Sequence, residues 1–395
     1  MSGKIDINSK ITDTQENFEV KTFTGYKKPS VFTELHKSIL NSRIDELCFW
    51  IAEIHISGYI EMLWDKLIIF SSKLININNP KLSKYLYQEY QQYLELTKLC
   101  KSQNFIELRN SYYSRQQLHK IGLILSQSKK INIPNIPKIY TNDFDILNIQ
   151  SKLMAKDTKL LDKVFQENDP NELKISINEF LYHLVNKNLN WSLYWLSWIL
   201  EYEKKIIKKD KHFHCHTRKI ENIDSKFYKD LSWLLWNCLF ITIDDNNKIE
   251  YIKYIYMLYK INFSKSKKNS RVPLLIHAIL LIIENIDTQI SLIQDKEIID
   301  TVLGNIDSIY YKIQNNKTND EVLQKLQSYI DIDNTTNDNY NNNDLVNNVL
   351  ANKEEYLKKS QEKSKKKKDK NTLNEVSRNK IDTIMKINSE VFNLR

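Results

Sequence analysis

At 395 residues the chain is long enough for two or three domains and a sizeable buried core. Hydrophobic residues make up 41% and charged residues 27%, a globular balance, while 5 Gly and 6 Pro are too few for turn-dense β architectures or Gly-rich phosphate loops. That scarcity disfavours a P-loop, a Rossmann domain or a β-sandwich, and the net charge of +9 is concentrated at one end, where residues Ala351 to Arg395 hold 13 Lys and Arg against 7 Asp and Glu, so a mildly basic body with a basic tail is expected.

Residues 1–25 are polar with few apolar anchors and read as a flexible arm. Lys27-Lys28-Pro29-Ser30 marks a boundary, because Pro29 disfavours helix at Lys28 and Ser30 offers an N-cap. Phe32, Leu35, Ile39 and Leu40 then recur at helical spacing. After the break Asn41-Ser42-Arg43 the pattern resumes with Ile44, Leu47, Cys48 and Ile51, and Gly58 is placed to end that helix in a left-handed conformation. Further helices are expected over about Ile60 to Leu74, Lys81 to Leu99 and Ser111 to Gln127, the first two parted by the turn-like Asn76 to Pro80. Residues 139–171 read as a helical linker with polar punctuation. After Asn315 the composition changes: Asn334 to Asn348 is Asn-rich, and Lys358 to Lys370 is a self-repelling basic run. Residues 312–395 are therefore expected to be a disordered tail, with room for one short amphipathic helix near the end.

Self-comparison suggests a duplication. Glu34 to Ile54 aligns without gaps on Glu179 to Ile199, with identities at Glu34/Glu179, Asn41/Asn186, Trp50/Trp195 and Ile54/Ile199. Farther along, Lys84-Tyr85-Leu86-Tyr87-Gln88-Glu89-Tyr90 matches Lys253-Tyr254-Ile255-Tyr256-Met257-Leu258-Tyr259 in the same order. The expected fold is all-α, with one helical domain over 26–138, the linker, and a related domain over 172–311.

Leu35-His36-Lys37-Ser38-Ile39, Phe49-Trp50-Ile51-Ala52-Glu53, Gly58 and Lys66-Leu67-Ile68-Ile69-Phe70 carry a resemblance. Residues 32–138 resemble the oligomerising, collar-like C-terminal helical region of the MgsA/RarA group of AAA+ replication-associated ATPases. The overall style, including a codon-biased abundance of Lys, Asn, Ile and Tyr, is similar to proteins of large DNA viruses. No Walker A motif, Walker B acidic strand or arginine-finger context is found. The resemblance thus implies a module that associates with itself or with replication proteins, and carries no ATPase activity over.

His212-Phe213-His214-Cys215-His216 is the one cluster with metal-ligand chemistry. In an extended segment His212, His214 and His216 share a face, Cys238 or His183 could supply the fourth ligand of a tetrahedral site, and the candidate metal residues of the cluster are His212, His214, Cys215 and His216. Around them Lys204, Lys205, Lys208, Lys209, Lys211, Arg218 and Lys219 make a basic loop suited to anions. With Lys365, Lys366, Lys367 and Lys368 of the tail they are the candidate nucleic-acid contacts. Trp191, Trp195 and Trp198 sit at helical spacing with Tyr194 between them, and such a stripe either stacks on bases or packs in a core. Packing is the favoured reading here, as it is for the tyrosines of the Lys-Tyr helices.

The four Cys are scattered and the start Met-Ser-Gly-Lys lacks an apolar signal core, so an intracellular compartment fits, cytoplasmic or at a viral factory or nucleus. Val272 to Ile283 is too short to span a bilayer, and no membrane partner is expected. Asp244-Asp245-Asn246-Asn247 is a polar turn, and no catalytic motif or cofactor is implied. The expected function is a non-catalytic scaffold or adaptor that binds proteins, in a viral or replication-associated complex. The alternative is a nucleic-acid-binding protein using residues 204–219 and the lysine-rich tail.

Overall fold

In the computed structural model, which describes residues 9–13, 18–99, 105–210 and 212–315, the regular elements are helical apart from one antiparallel bridge between Lys21 and Lys27. In chain order they are α1 (Lys28–Leu40), α2 (Ile44–Ile56), α3 (Ile60–Leu74), α4 (Lys81–Leu99), α5 (Phe105–Arg109), α6 (Tyr112–Gln127), α7 (Ile146–Gln150), α8 (Lys174–Val185), α9 (Leu189–Asp210), α10 (Leu231–Ile241), α11 (Asn246–Lys260), α12 (Lys265–Lys268), α13 (Val272–Ile283), α14 (Lys296–Gly304) and α15 (Ile306–Asn315). The all-α reading therefore holds. Most of the expected tail, 316–395, and most of the arm ahead of residue 18 lie outside the described residues.

Helix boundaries follow local chemistry. Contrary to the Ser30 cap, α1 starts at Lys28 behind the extended Lys27, with Pro29 in the first turn, where its missing N–H removes no intrahelical bond. Gly58 does end α2: with φ 77° it lets its own N–H reach His55 O and the Tyr59 N–H reach Ile54 O. The 139–171 stretch holds α7 and single 3₁₀ turns over Thr141–Phe144 and Leu161–Lys163, with extended or bent chain between them.

Contacts group the chain into two compact units built from non-adjacent stretches. Of the described residues, those of 9–60, 105–126 and 300–315 supply the first, and those of 61–99 with 127–299 the second. Compactness and duplication are separate properties, and the tandem pattern of 26–138 and 172–311 stays a feature of the sequence.

In the first unit α1 and α2 pack as a hairpin over buried Leu35, Ile39, Leu47, Trp50, Ile51 and Ile54. Tyr26 meets Trp50 edge-on at 5.1 Å, and α6 comes so close that a Cβ on Gly122 would overlap the Ile51 side chain. Helix α15 docks on α2 through Tyr310, whose hydroxyl lies 3.0 Å from His55 Nδ1, while Ser114 Oγ lies 3.1 Å from His55 Nε2. Arg115 covers the Tyr310 ring at 3.9 Å and pairs with Asp307 at 3.0 Å. Burial, then the charge of Arg115, holds the His55 pKa well down, so the ring is neutral in this core.

In the second unit the apolar α13 packs against α8, α9, α10 and α11. Helices α4 and α11, which carry the two matching Lys-Tyr segments, lie side by side in the same direction. Ser83 Oγ donates to Tyr251 O at 3.3 Å, the Tyr87 and Tyr254 rings are 5.8 Å apart, and Asn262 donates to Tyr90 at 3.2 Å. Helices α8 and α9 form the second hairpin, over buried Phe180, Leu184, Trp195, Leu196 and Ile199.

The two hairpins close alike. Ser42 and Lys187, equivalent in the gap-free alignment, are both left-handed, at φ 55° and φ 54°. In the first turn the Arg43 N–H donates to Ser38 O at 2.9 Å and the Ser42 N–H to Ile39 O; in the second the Asn188 N–H donates to His183 O at 2.9 Å and the Lys187 N–H to Leu184 O. Each pair of bonds satisfies carbonyls that a helix end leaves open.

Candidate nucleic-acid interface

Helix α9 has two parts. Its first turns carry the aromatic stripe, and the stripe is packed. Trp195 is 0% and Trp198 4% exposed, and the Trp198 indole N–H donates to Asp143 O at 2.9 Å. Segment 140–152 lies across the remaining rings. Lys152 bonds Asp143 and the Tyr194 hydroxyl, each at 2.6 Å, and Phe144 sits 5.1 Å from Trp198 and 6.0 Å from Tyr202.

The last turns of α9 are basic, and the structure sorts their charges. Lys204 bonds Glu201 at 2.6 Å, and the Lys205 ammonium sits 4.4 Å above the Phe144 ring. Lys208 and Lys209 are exposed. Lys211 lies outside the described residues, as do Lys365, Lys366, Lys367 and Lys368.

Residues 212–219 are tied to Tyr228 and Lys229, with the Cys215 N–H donating to Lys229 O and the Arg218 N–H to Tyr228 O, both at 2.9 Å. Asp169 anchors this segment. It accepts from Arg218 at 2.8 and 2.6 Å and from the His216 N–H at 2.9 Å. These bonds pull the Asp169 pKa down, although burial opposes them. Arg218, grouped with the exposed cations on sequence, is only 6% exposed and is an internal strut. Lys219 stays exposed.

Two lysines distant in sequence join this surface. Lys265 and Lys229, both exposed, lie close enough to His214 that their charges, after partial burial, lower its pKa; His212 adds to the effect. Next in the chain, Lys267 and Lys268 are consumed internally. Lys267 pairs with Asp65 at 2.5 Å, while buried Lys268 holds Glu203 at 2.6 Å and Asp230 at 2.8 Å. Among the described residues no acidic side chain pairs with Lys208, Lys209, Lys219, Lys229 or Lys265. No local pattern marks Lys229 or Lys265 as partners of the 204–219 run.

The histidine cluster is spread out. The His212 and His214 rings stack 6.0 Å apart, whereas Cys215 is buried and burial raises its thiol pKa. Among the described residues no group of three or more His, Cys, Asp or Glu is gathered as a metal site. His183 stacks on Trp191 at 5.7 Å inside the α8–α9 hairpin.

Elsewhere several polar groups serve the fold. In a cleft of about 770 Å³ Lys187 pairs with Asp244 at 3.0 Å, and Lys248 donates to Glu284 O at 2.7 Å. Asp245 caps α11 by accepting from the Asn247 N–H at 2.8 Å, in keeping with a polar turn. Ser114, His55 and Tyr310 are each fully buried. No described helix is long and apolar enough to cross a membrane. Comparisons with protein-family models, curated proteins and solved structures give no match.

Proposed function

We propose that this chain is a non-catalytic helical binding protein whose second unit engages nucleic acid through the face formed by the end of α9, residues 212–219, Lys229 and Lys265. The carrying observation is the set of exposed lysines, Lys208, Lys209, Lys219, Lys229 and Lys265, that form no ion pair with an acidic side chain among the described residues. Fixed cations on a surface attract phosphate polyanions by releasing condensed counterions. The Arg218–Asp169 strut and the buried Lys268 between Glu203 and Asp230 hold the segment and its neighbours in place. Changing Lys208, Lys209, Lys229 and Lys265 together to Gln is expected to weaken nucleic-acid binding in fluorescence anisotropy and to flatten its salt dependence. Unchanged binding and slope would refute the reading.

A second reading is protein association, in line with a scaffold role and with the resemblance to a self-associating collar. It is favoured by exposed apolar side chains on the second unit: Leu153 at 40%, Met154 at 49% and Ile175 at 53%. The Met154 N–H donates to Glu179, one turn beyond Ile175 on α8, which brings these side chains near one another. Under this reading the matching hairpins descend from a duplicated helical domain. Changing the three side chains to Ser is expected to reduce the mass found by light scattering if they hold copies together.

A further inference from the structure

We infer that this face reads the phosphate backbone and not the bases, so that its ligand is double-stranded nucleic acid of any sequence. The inference rests on the nucleic-acid reading above and specifies its ligand. Proteins that hold single strands present open aromatic rings on which bases stack. Here most of the bordering rings are occupied, and Phe213 and Tyr228 are half-buried. Tyr202 lies flat on Trp198, centroids 5.1 Å apart and planes 5° apart, and Phe144 packs on both those rings and on the Lys205 ammonium. Phe227 is capped by Phe263 at 5.5 Å and by the Lys226 ammonium at 5.0 Å. Trp191 is stacked on His183.

Direct readout of a duplex needs planar, forked donors, above all Arg on guanine. The Arg of this segment, Arg218, spends its fork on Asp169. The groups left free are lysine ammoniums, point charges that follow phosphates without regard to sequence. Such a face favours the ligand of highest phosphate density, which is the duplex, with about one charge per 1.7 Å of axis.

The test uses the full chain and fluorescence anisotropy between about 50 and 200 mM NaCl. The ligands are two duplexes of about 20 base pairs and unrelated sequence, and single-stranded oligo-dT and oligo-dA of matching length. The expected result is equal affinity for the two duplexes within about twofold and weaker binding of both single strands. The K208Q/K209Q/K229Q/K265Q variant, checked by circular dichroism for an intact fold, should lose about tenfold or more in duplex affinity and about 3 to 4 from the log–log salt slope. If that variant loses affinity but oligo-dT binds more tightly than either duplex, or the duplexes differ more than about tenfold, backbone readout is overturned and the nucleic-acid reading stands. Binding untouched by that variant but abolished by K365Q/K366Q/K367Q/K368Q overturns both, as does binding to phosphatidylserine vesicles with none to any oligonucleotide.

Discussion

The hairpins α1–α2 and α8–α9 close with the same turn, bury a Trp at the same aligned position and then part company. Helix α2 stops at Ile56 because Gly58 turns the chain away, whereas α9 continues to Asp210 and leaves Lys208 and Lys209 exposed at its far end. The shared part is apolar and packed within its own unit; the part that differs carries charges outside any ion pair among the described residues. A hairpin that folds by burying Leu, Ile and Trp can thus be lengthened into a cationic arm without altering the contacts that hold it.

The largest expected effect tests whether the shared part does the same work twice. Trp50 is 1% and Trp195 0% exposed, so truncation of either to Ala removes a full aromatic side chain from a packed interior. Each should cost about 3–5 kcal/mol in chemical denaturation. A loss confined to Trp195 would break the equivalence, since the α1–α2 core would then be the looser one.

The next effect separates the hairpins by pH. His183 occupies the position aligned with Ser38, and burial pushes its pKa down to about 4 while it stacks on Trp191 and faces Glu179 at 3.6 Å. Its folded pKa lies below the unfolded value of about 6.5, so its contribution is complete above that pH and is lost as the pH falls from about 6.5 towards 4. Because the facing Glu179 carboxylate favours the imidazolium, the loss for this one group stays below about 3 kcal/mol. H183S, which copies Ser38, should be less stable at neutral pH yet flatter between those limits. His119, held near 4, and His277, near 3, keep their own acid sensitivity, and an unchanged profile would clear His183 of this role.

Gly58 tests why α2 stops. At φ 77° an Ala there places its Cβ against the following carbonyl, and G58A should cost about 1–2 kcal/mol in thermal or denaturant unfolding. A neutral result would mean that the Glu53 N-terminal contacts, such as its acceptance of the Thr24 N–H at 2.9 Å, hold the end of α2 without help from the glycine.

Much of the helical frame was legible because its signals are local. The runs ending at Leu74 and Leu99 are bounded by the Asn76 to Pro80 turn and show a 3.6-residue period, and α3 and α4 begin and end where that pattern does. Segment 139–171 has a weaker pattern, and there bonds from Lys152, Asp143 and Glu179 to distant partners shape the chain. The candidate interface was half legible. Lys208 and Lys209 stand in a visible basic run, but Arg218 is withdrawn by Asp169, 49 positions earlier. Lys229 and Lys265 join only because separate elements fold beside His214. The tie between Tyr310 and His55 spans 255 positions, beyond any periodicity argument.

The smallest expected effect concerns the turn that the hairpins share. A non-glycine residue in left-handed backbone carries a steric cost of roughly 1–2 kcal/mol, which Gly avoids, although Gly also adds freedom to the unfolded chain. From the backbone alone K187G and S42G should each gain about 1 kcal/mol at most. The two gains should differ. Ser42 Oγ donates to Ser126 O at 2.7 Å, a bond that Gly forfeits, whereas Lys187 gives up only a half-exposed pair with Asp244, worth little in water. K187G is accordingly expected to stabilise more than S42G, and the reverse order would show that the Lys187 side chain contributes more to its turn than an exposed ion pair can supply.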